Sequence, residues 1–287
     1  MSMSPLVSPS WLASRLQHPT TVVLDATLPP LGIAPPVDTR ASYLVSHIPG
    51  AVFFDIEELS DQATSLPHML PSPEDFSRSM SMLGIRDDMT IVVYEQQGVF
   101  SAPRAWWMLR AFGAPHVCLL DGGLRAWTES GLRIDSGHVY RAPSHPPDSF
   151  HARLNREAMA DLTQLKDRLT RHQQVLDARS AARFHGTAPE PRPGLSSGHM
   201  PGAINVPFTE LLEDGRLKPA DRLREYFSTK NIDLQQPITT TCGSGVTAAV
   251  ITLALNVVGA ANVSLYDGSW AEYAQQPDSV IDPIRKF

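Results

Sequence analysis

Cys242 stands in the stretch Thr240-Thr241-Cys242-Gly243-Ser244-Gly245-Val246-Thr247-Ala248-Ala249, which reads as the end of a buried strand, a glycine-bearing loop and the first turn of an apolar helix. A thiol placed in such a turn can act as a nucleophile. Gly243 and Gly245 permit positive φ on either side of Ser244, so successive backbone N–H groups can turn inward around the sulfur and form an anion cradle. The unpaired first-turn amides and the positive end of the following helix favour a thiolate over a thiol. A free cysteine more often packs as a small hydrophobe. Glycines bracketing a cysteine at a strand-to-helix turn serve no packing purpose, however, and the chemical reading is preferred. The second thiol, Cys118, precedes Leu119-Leu120-Asp121 on a strand and reads as buried and inert. Two cysteines supply neither a disulfide framework nor a C-x-x-C metal set.

The elements that must position Cys242 are visible through an internal repeat. Thr21-Val22-Val23-Leu24-Asp25-Ala26 recurs as Gln174-Val175-Leu176-Asp177-Ala178-Arg179, and His47-Ile48-Pro49-Gly50-Ala51 recurs as His199-Met200-Pro201-Gly202-Ala203. Leu119-Leu120-Asp121-Gly122-Gly123 recurs as Leu265-Tyr266-Asp267-Gly268-Ser269. A duplicated domain explains all three. Strands are expected at Val22 to Asp25, Ile91 to Tyr94 and Val117 to Leu120, and again at Val175 to Asp177, Ile238 to Thr241 and Val263 to Tyr266. Continuous apolar runs of that length belong to strands covered on both faces, which implies an α/β fold with a parallel, doubly wound sheet in each half. A helix with Pro103 at its start and Gly113 past its end lies in the first half. Its partner runs from Val246 to Val258 and stops at Gly259; being apolar nearly all round, it packs on the sheet. The expected organisation is a first domain over 1–137, a proline-rich linker over 138–158 and a second domain over 159–287. Aligning Ile91 to Glu95 with Ile238 to Cys242 puts Glu95 where the second half has its cysteine, so the first half lacks the nucleophile.

Composition limits the partners. A chain of 287 residues is long for one core, in keeping with two domains. The formal net charge of −6 argues against nucleic acid or an anionic membrane, both of which need clustered Lys and Arg. No run of eighteen apolar residues is present to span a membrane. Residues 1–16 lack the apolar core of a secretory signal, which predicts a cytoplasmic location; their serine content and lack of acids leave a mitochondrial alternative.

With these motifs in hand, the chain resembles the tandem-domain rhodanese-type sulfurtransferases. The paired H-x-P-G-A motifs, the D-G-G and D-G-S motifs and Cys242-Gly243-Ser244-Gly245-Val246-Thr247 carry the resemblance, which covers nearly the whole chain. In that family a C-G-S-G-V-T loop accompanies 3-mercaptopyruvate as sulfur donor, whereas thiosulfate-preferring members carry a basic loop of the C-R-K-G-V-T kind. The resemblance implies a Cys242 persulfide, with Gly243, Gly245, Val246 and Thr247 lining the substrate loop. It implies that Arg183 and Arg192, in Ala182-Arg183-Phe184-His185-Gly186-Thr187-Ala188-Pro189-Glu190-Pro191-Arg192, grip the donor's carboxylate. Arginine suits that task, since its fork pairs a carboxylate bidentately where Lys does not. These arginines are expected to act at a distance from the sulfur. It further implies a proton-handling trio of Ser244, His68 and Glu57, although the family has Asp at the Glu57 position. The acceptor would be a thiol or cyanide, with a thioredoxin-like reductant as one candidate, and no metal or organic cofactor is implied. His47 and His199 read as hydrogen-bonding residues of the H-x-P-G turns, and Trp106, Trp107 and Trp270 as packing residues.

Three rivals differ in testable ways. A thiosulfate sulfurtransferase shares the persulfide chemistry and is separated by donor kinetics. A cysteine-dependent phosphatase requires an arginine six residues after the cysteine, where this chain has Ala248. A non-catalytic rhodanese-like binding module has no use for the intact Cys242.

Overall fold

Aliphatic and β-branched runs without polar alternation form the interior strands of two parallel sheets. The computed structural model describes residues 4–29, 37–146 and 149–282. In the first sheet the strands are β1 (Leu6–Val7), β2 (Thr21–Asp25), β3 (Val52–Phe53), β4 (Thr90–Tyr94) and β5 (His116–Leu120). They lie in the order β1-β5-β4-β2-β3, every pairing parallel. In the second sheet they are β6 (Met159–Ala160), β7 (Gln174–Asp177), β8 (Ile204–Asn205), β9 (Ile238–Thr241) and β10 (Val263–Tyr266). The order β6-β10-β9-β7-β8, again parallel, repeats the first sheet strand for strand, as the duplication requires. All six expected central strands are present, some one residue longer at the start.

The chain forms two compact units. One comprises residues 1–62, 70–155 and 214–217; the other comprises 63–69, 156–213 and 218–287. The second unit thus includes a short segment from the first half of the sequence, and that segment carries His68.

In the first unit one face of the sheet is closed by a core that includes Val23, Val92, Cys118, Leu124 and Trp127; in the second, Val175, Met200, Tyr266 and Trp270 do the same. Helix Ala102–Ala111 has proline in its first turn, where the missing N–H costs nothing. Its counterpart is Ala248–Val258, with nine of eleven residues buried, ended by Gly259 in a left-handed conformation. This helix begins two residues later than expected. Val246 and Thr247 form a tighter turn instead, their carbonyls accepting from Ala249 (3.2 Å) and Val250 (3.1 Å), so they remain part of the loop after Cys242. Among the described residues no helix is long and apolar enough to cross a membrane.

Candidate active site

Strand β9 is buried along its whole length and ends at Thr241, in register with Asp177 of β7. Cys242 therefore emerges at the carboxyl edge of a parallel sheet, where ligand crevices form in open α/β folds. Its residue exposure is 1 %. Helix Ser269–Tyr273 pins the backbone there: Trp270 N–H donates to the Cys242 carbonyl (2.9 Å) and Ala271 N–H to that of Gly243 (3.0 Å). Cys242 N–H in turn donates to Ser269 Oγ (3.3 Å). Cys118 instead lies wholly inside the first core, where desolvation pushes its thiol up to about 12.

The two loop glycines serve different ends. Gly245 has φ +78°, as expected. Gly243 does not; it is absent from the left-handed region, and its requirement is for space. A Cβ at 243 would lie 2.9 Å from Arg183 Nη2 and 3.7 Å from Arg192 Nη1. Both arginines of the Pro- and Gly-rich segment thus converge on Gly243, the residue that follows Cys242.

Arg183 is set in place by charges that sequence reading passed over. It sits on the short helix Ala181–Phe184, anchored where the His199 ring stacks on Phe184 at 3.8 Å and His199 Nδ1 donates to the Phe184 carbonyl (2.9 Å). Its Nη2 and Nε donate to the two oxygens of Glu190 at 2.5 and 3.1 Å. Glu190 Oε1 also accepts from Arg179 Nη1 (2.9 Å), and Arg179 is held by Asp177 through Nε and Nη2, the shortest contact being 2.6 Å. The Arg179, Asp177 and Glu190 side chains are at most 1 % exposed, against 21 % for Arg183. Burial acts to lower the Arg179 pKa, but the two carboxylates outweigh burial and raise it. Its guanidinium also covers the Trp270 ring at 4.1 Å, tying the network to the helix that fixes Cys242. The signal for Asp177 is the repeat itself, in which it matches Asp25 at a strand end; Arg179 stands where the first half has Thr27, so the repeat gives no signal for it.

His68 and Ser244 are brought together. His68 Nδ1 lies 3.0 Å from Ser244 Oγ and 3.4 Å from the Ser244 carbonyl oxygen, and both residues are buried. His68 holds φ +61°, a strained conformation for a residue with a Cβ. Glu57 belongs to the other unit, on an exposed turn whose Glu57 N–H donates to Asp55 Oδ1 (3.1 Å). Val246 is buried, and Thr247 is the N-cap residue of helix Ala248–Val258.

The first unit contains the same loop with a different occupant. Glu95 follows β4 as Cys242 follows β9, and Gly98 (φ +97°) stands where Gly245 does. The Glu95 carboxylate accepts the Phe100 N–H, the Ser101 N–H (2.6 Å), the Ala102 N–H (3.3 Å) and the Ser101 hydroxyl (2.5 Å). Three loop amides converging on one carboxylate make an anion nest filled by the chain's own side chain. Burial still pushes Glu95 up to about 7. In the second unit the counterparts of Phe100 and Ser101 are Thr247 and Ala248.

The sequence profile of the Rhodanese-like domain matches residues 8–130 and 161–276, one match for each sheet. The chain belongs to the rhodanese-like family. A 3-mercaptopyruvate sulfurtransferase of Escherichia coli (strain K12) is 44 % identical over 288 residues, covering 99 % of this chain and all of the relative. The crystal structure of SseA from Escherichia coli, described with the rhodanese fold of 3-mercaptopyruvate sulfotransferases, superposes with TM-score 0.85 at 42 % identity, covering 94 % of this chain and 100 % of that one. A thiosulfate sulfurtransferase of Bos taurus is also 42 % identical, over 93 % of this chain and 91 % of its own. Relatives named for either donor thus lie within this range of identity, and the one with the fuller coverage is a 3-mercaptopyruvate sulfurtransferase.

Proposed function

We infer that this chain is a sulfurtransferase that moves sulfur from 3-mercaptopyruvate to a thiol or cyanide acceptor, releasing pyruvate, through a persulfide on Cys242. The observation that carries the reading is the convergence of Arg183 and Arg192 on Gly243, beside the one cysteine that emerges from a sheet edge into a glycine loop. A forked cation at that point suits the carboxylate of a small α-keto acid whose sulfur meets Cys242.

The Cys242 thiolate attacks the donor's sulfur. The C–S bond breaks with its electron pair going to carbon, which gives the enolate of pyruvate and leaves a Cys242 persulfide. The amides of Thr247 and Ala248, counterparts of those that hold the Glu95 carboxylate, stabilise the outer sulfur as an anion. Ser244 and His68, 3.0 Å apart, handle the proton that passes from the donor thiol to the enolate. An acceptor thiol, on a small molecule or a thioredoxin-like reductant, or cyanide then removes the outer sulfur and restores the thiolate. Two free thiols fit a reducing compartment such as the cytoplasm.

The test is covalent. Protein treated with 3-mercaptopyruvate should gain the mass of one sulfur atom on the peptide bearing Cys242. Cys118→Ser should keep both that gain and turnover, and Cys242→Ser should lose both. Mass gain elsewhere, or turnover surviving in Cys242→Ser, would sink the mechanism.

A further inference from the structure

Arg183 reaches Gly243 with its charge already answered. Both oxygens of Glu190 receive it, at 2.5 and 3.1 Å, in the bidentate arrangement that a substrate carboxylate would otherwise occupy. Glu190 cannot turn away to release it, because its Oε1 is also tied to Arg179, and Arg179 is locked by Asp177, by the Gly198 carbonyl (2.9 Å) and by the Trp270 ring. Two buried acids and two arginines interlock, and their formal charges sum to zero. An arginine needed only for its positive field would be better left without a buried carboxylate against it, since Glu190 reduces that field at the donor site.

We propose that Glu190 is a specificity-determining residue: by cancelling the charge of Arg183 beside the Cys242 loop, it tunes the site to a monoanionic α-keto acid donor and against dianions such as thiosulfate. Arg183 then serves a carboxylate through its remaining N–H donors, those on Nη1 and the second on Nη2. A dianion, which needs net positive charge to offset its desolvation, meets Glu190 behind the arginine it would bind. The proposal rests on the sulfur-transfer reading and adds to it the group that sets the donor's charge.

Glu190→Gln keeps the size and one acceptor while uncovering one positive charge within a few ångströms of the donor. The ratio of kcat/KM for thiosulfate to that for 3-mercaptopyruvate should rise about tenfold or more, the scale of one added unit charge acting on a dianion rather than a monoanion. Glu190→Asp keeps the charge and alters the reach, so both rates can fall but their ratio should hold. Removing the charge on both sides, as Glu190→Gln with Arg183→Gln, should bring the ratio back down. A ratio unmoved in Glu190→Gln, with both donors falling together, overturns the proposal and leaves Glu190 as mechanical support. Sulfur mass on Cys242 in the same samples reports separately on the persulfide reading. Should Glu190→Gln fail to fold, Arg183→Gln with Glu190 intact decides the matter. It leaves the Glu190 charge uncovered, so the thiosulfate to 3-mercaptopyruvate ratio should fall below that of the wild type, and a ratio that does not fall overturns the proposal.

Discussion

A methyl group at position 243 would sit 2.9 Å from Arg183 Nη2, closer than a real Cβ tolerates, and the atom it meets is the end of a side chain and not backbone. Gly243 has no left-handed φ to lose. Gly243→Ala should therefore fold with a stability change of about 1 kcal/mol or less, while the displaced guanidinium lowers kcat/KM for 3-mercaptopyruvate. Chemical denaturation and steady-state kinetics on one preparation check both halves, and full activity would show that Arg183 does not touch the donor. Arg183→Lys and Arg192→Lys keep charge but lose the fork. Each should cost roughly 1.5–3 kcal/mol of transition-state stabilisation, read from kcat/KM, on the scale of a hydrogen bond to a charged group. Unchanged kcat/KM in both variants would remove the pair from the site.

At the scale of elements, the segment 63–69 spends backbone strain to aim one imidazole. His68 sits at φ +61° with Nδ1 on Ser244, and a left-handed residue with a Cβ costs of order 1 kcal/mol that glycine avoids. His68→Gly should therefore be more stable than His68→Ala by about 1 kcal/mol, while both lose sulfur transfer. Equal stability of the two variants would mean that the surroundings do not hold that φ, and retained activity would take His68 out of proton handling. The loops after β4 and β9 show how one element serves two ends. The same glycine-marked turn holds a carboxylate at Glu95 and presents a thiol at Cys242; the two loops share Gly98/Gly245 and Val99/Val246 and differ at the strand-end residue and at the other loop positions.

For the whole molecule, the buried Glu95 predicts how stability depends on pH. Its folded pKa of about 7 lies above the ordinary 4.5, so between those values the folded chain keeps a proton that the unfolded chain has released. Stability from this group is fully present below pH 4.5, declines as pH rises towards 7 and levels off above it, by roughly 3 kcal/mol in all. Glu95→Gln does not titrate, so the stability of wild type relative to this variant should fall between pH 5 and pH 8; a pH-independent difference would show that the nest offsets the cost of burial. What the sequence by itself determined was whatever is local or repeated. Apolar runs marked the six central strands, the duplication marked two sheets of one topology, and the glycines at 243 and 245 marked Cys242 as the candidate nucleophile. Tertiary structure decided what depends on partners distant along the chain. Gly243 is glycine because two arginines from 51 and 60 residues earlier occupy its side-chain space, which no local φ argument reveals. His68 meets Ser244 across 176 residues, and Glu190 joins Arg179 to Arg183 in a chain of charges. A motif shows which groups are available, but the charge that a donor meets is a sum over neighbours, and only the fold supplies the neighbours.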